Sequence, residues 1–167
     1  MSSFGLKNSH WEKIFNENPL AIAILDTNGK ILYANKKSEE ILGIKKDSIT
    51  ARFYDSPQWK HTDIDGNPFP DDQQPFVRVK REHTAVHNVK HFIEWPDQKK
   101  ILLNIDAYPI FNDQGELTYV VALMEDITEK YMLIQERDEQ YRNYQLLFSN
   151  MTNAYAYHRM LYDAKEN

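Results

Sequence analysis

Three histidines, His83, His87 and His91, stand four residues apart, the spacing that lines up metal ligands on one face of a helix. The segment around them argues against that use. "VHNVKHFIEW" is rich in β-branched and aromatic residues that alternate with polar ones, a strand pattern. In an extended chain His87 and His91 lie about 13 Å apart, too far for one ion. A second group with chemical potential is the acidic stretch "TDIDGNPFPDD", whose paired carboxylates could hold a divalent cation or do acid–base work. It lacks a periodic ligand pattern and a matching nucleophile, and Asp65-Gly66-Asn67-Pro68 is ordinary turn chemistry. That leaves His91, a titratable group on an apolar strand face: either a core histidine bonded to a carbonyl or a water, or a ligand contact or pH sensor.

The rest of the chain defines what must hold these residues. "SHWEKIFNEN" spaces Trp11, Ile14 and Phe15 as a short amphipathic helix capped by Asn8 or Ser9 and stopped at Pro19. "LAIAILDTNGKILYANKK" places Asn28-Gly29 between two apolar runs, a hairpin signal. Asn35 can cap a helix through "KKSEEIL" that ends at Gly43. Lys45 to Asp71 reads as loop with short helical turns. In "DDQQPFVRVKRE", Asp72 is the expected cap, Pro75 sits in the first turn, and Phe76 and Val79 face inward.

Three strands follow, Val86–Trp95, Ile101–Phe111 and Leu117–Ile127, separated by the turns "PDQKK" and "NDQGE". Two strands, a helical middle and three more strands predict an α+β fold, a five-stranded antiparallel sheet flanked by short helices. Alternation puts His87, Val89, His91, Ile93 and Trp95 on the inner face, beside Ile101, Leu103, Ile105 and Ala107. The last strand is apolar on both sides, so its outer face needs a cover: the N-terminal helix or a second subunit.

After Asp126 no glycine or proline interrupts "DITEKYMLIQERDEQYRNYQLLFSNM", a long helix capped by Asp126 or Thr128. Leu133, Arg137, Gln140, Tyr144, Leu147 and Met151 form one half-polar seam along it. Ile127, Tyr131, Ile134, Asp138, Tyr141, Gln145 and Phe148 form another, and either a coiled coil or an amphipathic helix accounts for both.

Composition removes several chemistries. The chain of 167 residues has no cysteine, which excludes disulfides, thiolate metal sites and thiol-linked chromophores. A net charge of -5 offers no basic excess for nucleic acid. No apolar run reaches the ~20 residues of a membrane span and no secretory signal opens the chain, so a cytoplasmic location is expected.

From about Trp11 to Glu129 the order of "NPLAIAILDTNGKILYAN", "EEILG", "DGNPFPDDQQPFVRV" and "DAYPIFNDQGELTYVVALMEDITE" resembles a PAS domain, the sensory module of many bacterial and archaeal signalling proteins. The resemblance implies a PAS-like sheet over residues 20–127, preceded by a helix within 1–19 and followed by a linker helix over 128–152. Residues 153–167 resemble the start of a second PAS domain, with a strand near 154–162. It further implies a non-catalytic sensory and dimerising module of a histidine kinase or a cyclic-dinucleotide enzyme. The implied homodimer uses the N-terminal helix, the outer sheet face and the linker helix, and the implied partner is an output domain of the same chain. Asp126 and Thr128 are the implied signal junction.

The expected pocket is apolar, lined by Trp59, Phe76, Val79, His91, Ile93, Leu103, Ile105, Ala122 and Met124, and open to a small organic ligand. Flavin-binding relatives need a cysteine this chain lacks. Haem-binding ones usually place their histidine within the helix before the third strand, whereas His83 falls at the end of the corresponding helix. A ligand-free module acting only in protein assembly is the alternative.

Overall fold

Asp26-Thr27-Asn28-Gly29 closes the first hairpin by local hydrogen bonding. In the computed structural model, which describes residues 8–163, Asp26 Oδ1 accepts the amides of Asn28 (2.8 Å) and Lys30 (3.0 Å). Gly29 has φ of 85° and a Cβ there would sit 2.4 Å from the Tyr54 ring, so glycine is required on both counts. The turn joins β1 (Ala21–Asp26) to β2 (Ile31–Ala34). Ahead of them lies α1 (Asn8–Asn16).

Asn35 then caps α2 (Lys36–Leu42) through its side chain, and Gly43 ends that helix in the left-handed conformation. The same side chain does more. It is fully buried, accepts from the Ile22 amide and the Ser38 amide and hydroxyl, and donates to the carbonyls of Phe15 and Leu20. One asparagine thus ties the end of α1, strand β1 and helix α2 together.

A short helix α3 (Lys46–Thr50) and irregular chain lead to α4 (Pro75–Glu82). Its cap position is Gln74 rather than Asp72, because Asp71–Gln73 form a separate 3-10 turn and Pro75 occupies the first helical position, where its missing N–H costs nothing. Strands β4 (Val86–Glu94), β5 (Lys100–Phe111) and β6 (Leu117–Asp126) complete an antiparallel meander.

The sheet has six strands, in the order β2-β1-β6-β5-β4-β3, rather than five. The additional β3 (Lys60–Thr62) pairs with the edge of β4 inside the stretch expected to be loop. Three residues are too few for alternation to register. The α+β class and antiparallel pairing are as expected, with α2, α3 and α4 over the concave face and a core that includes Leu42, Ile49, Val79 and Leu103.

Strand β4 departs from strict alternation. Its ladder with β5 shifts between Val86 and Val89, and Asn88 takes a φ of 56°. This bulge turns Val86 and Val89 inward and leaves His87 half exposed near Asp106 (3.7 Å), so His87 does not share the inner face with His91. The three histidines occupy a helix end, a bulge and a strand. In the acidic stretch, Asp63 Oδ1 accepts the amides of Asp65 (2.9 Å) and Asn67 (2.8 Å), closing a turn.

The described residues up to Thr128 form one compact unit and those from Glu129 a second. Helix α5 (Thr128–Asp163) continues past residue 152, and the strand expected near 154–162 is helix instead. No glycine or proline interrupts it, and a lone strand would leave its backbone groups unpaired, whereas a helix satisfies them internally. Residues 164–167, the remainder of the expected second-domain fragment, lie outside the described residues, as does the side chain of Trp11. On α5, Leu133, Tyr144, Leu147 and Met151 are exposed. Helix α1 reaches the sheet edge through Phe15, whose ring lies 6.0 Å from that of Tyr33, while Ile14 is exposed; on the outer face Ile110 and Tyr119 also remain exposed.

Candidate ligand cavity and signal junction

Between the concave face and its helices lies a cavity of about 80 Å³. Its floor follows from the register. Ala23 on β1 opposes Ala122 on β6, which opposes Ala107 on β5, so three methyl groups in one row stand where larger strand residues would fill the space. Leu25, Ile31, Ile105, Val120 and Met124 extend the floor, Ile93 and His91 bring β4 to it, and Leu42, Ile49, Tyr54, Trp59 and Phe76 close the other side.

Of the residues expected to line a pocket, Trp59, Phe76, His91, Ile93, Ile105, Ala122 and Met124 do so. Val79 and Leu103 do not; both are fully buried in the core without bordering the cavity. Sequence reasoning passed over His61 and Gln74, two further polar residues among those that line the cavity. His61 belongs to the three-residue strand and Gln74 to the cap of α4, positions with no periodic signal.

His91 is 1% exposed, and neither ring nitrogen has a hydrogen-bond partner in the protein. Its ring lies 5.0 Å from that of His61 and 4.7 Å from that of Phe69. Burial, reinforced by His61, pushes its pKa down to about 3, so the ring is neutral at physiological pH. Burial also lowers the pKa of His61, against the opposing pull of its bond to Tyr54. His61 Nε2 lies 3.1 Å from the Tyr54 carbonyl, which also accepts from Trp59 Nε1 (3.2 Å). A carbonyl only accepts, so Nε2 carries the proton and the neutral ring presents a bare, buried Nδ1.

The second feature is the end of β6. Asp126 Oδ1 accepts the Thr128 amide (2.9 Å) and hydroxyl (2.5 Å), and Thr128 Oγ1 in turn accepts the Leu102 amide (2.8 Å). The Ile127 amide donates to the Leu102 carbonyl (2.9 Å). The start of α5 is thereby fastened to β5. His91 pairs with Leu103 and Leu103 with Asp126, so the buried imidazole and the junction occupy one row across three strands.

A sheet of this topology with helices over its concave face, closed by an Asp-Ile-Thr turn into a helix, is the architecture of a sensory α+β module. Residues 19–129 match the family model described as PAS domain, and the chain belongs to that family of regulatory sensory modules.

Among solved structures it is similar to the PAS domain of a protein from Colwellia psychrerythraea, with 17% identity, TM-score 0.56, and 72% of this chain and 97% of that one covered. The PAS domain of nitrogen regulation protein NR(II) from Vibrio parahaemolyticus is similar at 15% identity and TM-score 0.54, covering 75% and 100%. That of the fruit-fly ELK potassium channel is similar at 14% and 0.57, covering 76% and 99%. At such identities the likeness is one of fold. No curated protein sequence matches the chain. Among the described residues no helix is long and apolar enough to cross a membrane.

Proposed function

We propose that this PAS domain is the input module of a multidomain signalling protein with a histidine kinase or cyclic-dinucleotide output. It takes a small molecule into the cavity and passes the event through Asp126 and Thr128 into α5. The observation that carries this reading is the row His91–Leu103–Asp126, which links an unsatisfied buried side chain at the cavity wall to the fastened start of the helix. A ligand seated against His91 shifts β4 relative to β5, and Leu102 and Leu103 hand that shift to the junction.

The test is a native mass spectrum of the purified chain beside Ala107→Leu, which fills the alanine row, with amide exchange at Leu102 followed in both. A small molecule that co-purifies with the wild type, is lost from the folded variant and slows exchange at Leu102 supports the reading. A bare wild-type mass with identical exchange in the two proteins overturns it.

Ligand-free assembly is the second reading, favoured by the exposed Ile110 and Tyr119 on the outer face and by Leu133 and Leu147 on α5. It calls for a homodimer through α1, the outer face and α5. Sedimentation of the wild type beside Tyr119→Glu tests it: a dimer that dissociates in the variant supports this role, and a monomeric wild type removes it.

A further inference from the structure

The wall of the cavity decides what can sit in it. Its accessible surface is almost wholly apolar, and none of the lining residues is lysine, arginine, aspartate or glutamate. The two imidazoles do not alter this. Both nitrogens of His91 and Nδ1 of His61 are closed off from any water-sized neighbour, and His61 Nε2 is committed to the Tyr54 carbonyl. A buried water needs several polar partners, so the space is dry. A charged or hydrogen-bonding guest would lose its hydration on entry and find no partner inside.

We propose that the cavity takes a compact apolar molecule of about three or four heavy atoms, a short hydrocarbon, and discriminates against isosteres that carry a hydroxyl. The inference rests on the reading of the cavity as a ligand site. Its volume sets the size of the guest: at about 80 Å³ the space is roughly half the ~150 Å³ that accommodates benzene. The alanine row sets the place. Ala23, Ala122 and Ala107 leave the floor without the contacts that longer side chains would make, and the carbons of a guest supply them. Ile105 and Met124 border the same space from the sheet and Phe76 from α4.

Propane and ethanol match in heavy-atom count and differ by one hydroxyl. The experiment keeps the full chain under propane in a sealed tube, titrates ethanol into a second sample, and follows the methyl resonances of Ile105 in both. Xenon, which enters dry apolar cavities, is the third probe. Saturable shifts with xenon and propane are expected, with ethanol bound about tenfold more weakly or worse. Ala107→Leu fills the row and is expected to weaken propane about tenfold or more. Should that variant fail to fold, Ala122→Leu fills the same row from the next strand at a less buried position.

Ethanol bound as tightly as propane overturns the apolar assignment, while the cavity still stands as a ligand site. Propane binding unchanged in a folded variant overturns the placement on the alanine row. Entry of xenon without propane overturns the stated size. Exclusion of xenon, propane and ethanol alike overturns the inference and removes the ligand reading with it.

Discussion

Lowering the pH should destabilise this domain through His91, by an amount that follows from its burial. The folded ring titrates at about 3 and its ordinary value is 6.5. The folded-state pKa is depressed, so the contribution is fully present above 6.5 and is lost as pH falls from there towards 3, because the unfolded chain takes up a proton that the native ring refuses. At 1.36 kcal/mol per unit, a change from about pH 7.5 to about pH 5 costs about 2 kcal/mol. That figure is set almost wholly by the unfolded-state value, since at pH 5 the native ring is still unprotonated. His61, also lowered by burial, adds in the same direction. The assay is urea unfolding of the wild type and His91→Phe at the two pH values. Subtracting one from the other cancels the carboxylates common to both, so the wild type should lose about 2 kcal/mol more than the variant. Equal pH slopes in the two proteins would refute the reasoning, and so would a wild type that gains stability in acid.

Removing the side chain of Asn35 breaks five hydrogen bonds at a fully buried position, to Phe15, Leu20, Ile22 and Ser38. Asn35→Ala should therefore cost about 3 kcal/mol in urea unfolding, and a loss below about 1 kcal/mol would mean that the backbone finds other partners. Thr128→Val keeps the shape but removes the acceptor for the Leu102 amide. About 1.5 kcal/mol of destabilisation is expected, together with faster amide exchange at Leu102, and unchanged exchange there would show that the junction is not held by this hydroxyl.

What the sequence conveyed depended on how each element is encoded. The first hairpin, the cap at Asn35 and the long β5 and β6 strands are written in local chemistry: an Asn-Gly turn, a cap residue, period-two alternation along β5 and a continuous apolar run in β6 bounded by turn residues. The bulge in β4 is carried by Asn88 alone, and an asparagine within a polar-apolar alternation reads as one more polar position. In the tail, "NAYAYHRMLY" alternates as a strand would, but the pattern has no sheet to satisfy and α5 runs through it.

The cavity was the least legible feature because it is made of what is missing. His91 announced itself as a polar residue among apolar ones. Ala23 and Ala107 did not, and Ala122 was expected at the pocket without them, since each is an unremarkable strand residue until register sets the three side by side. Register is a long-range property, fixed by the whole inner face rather than by any turn near these residues. It is also what brings His91 level with Asp126. The hollow and its connection to the helix therefore come from the same pairing, and a one-residue slip in β5 would abolish both.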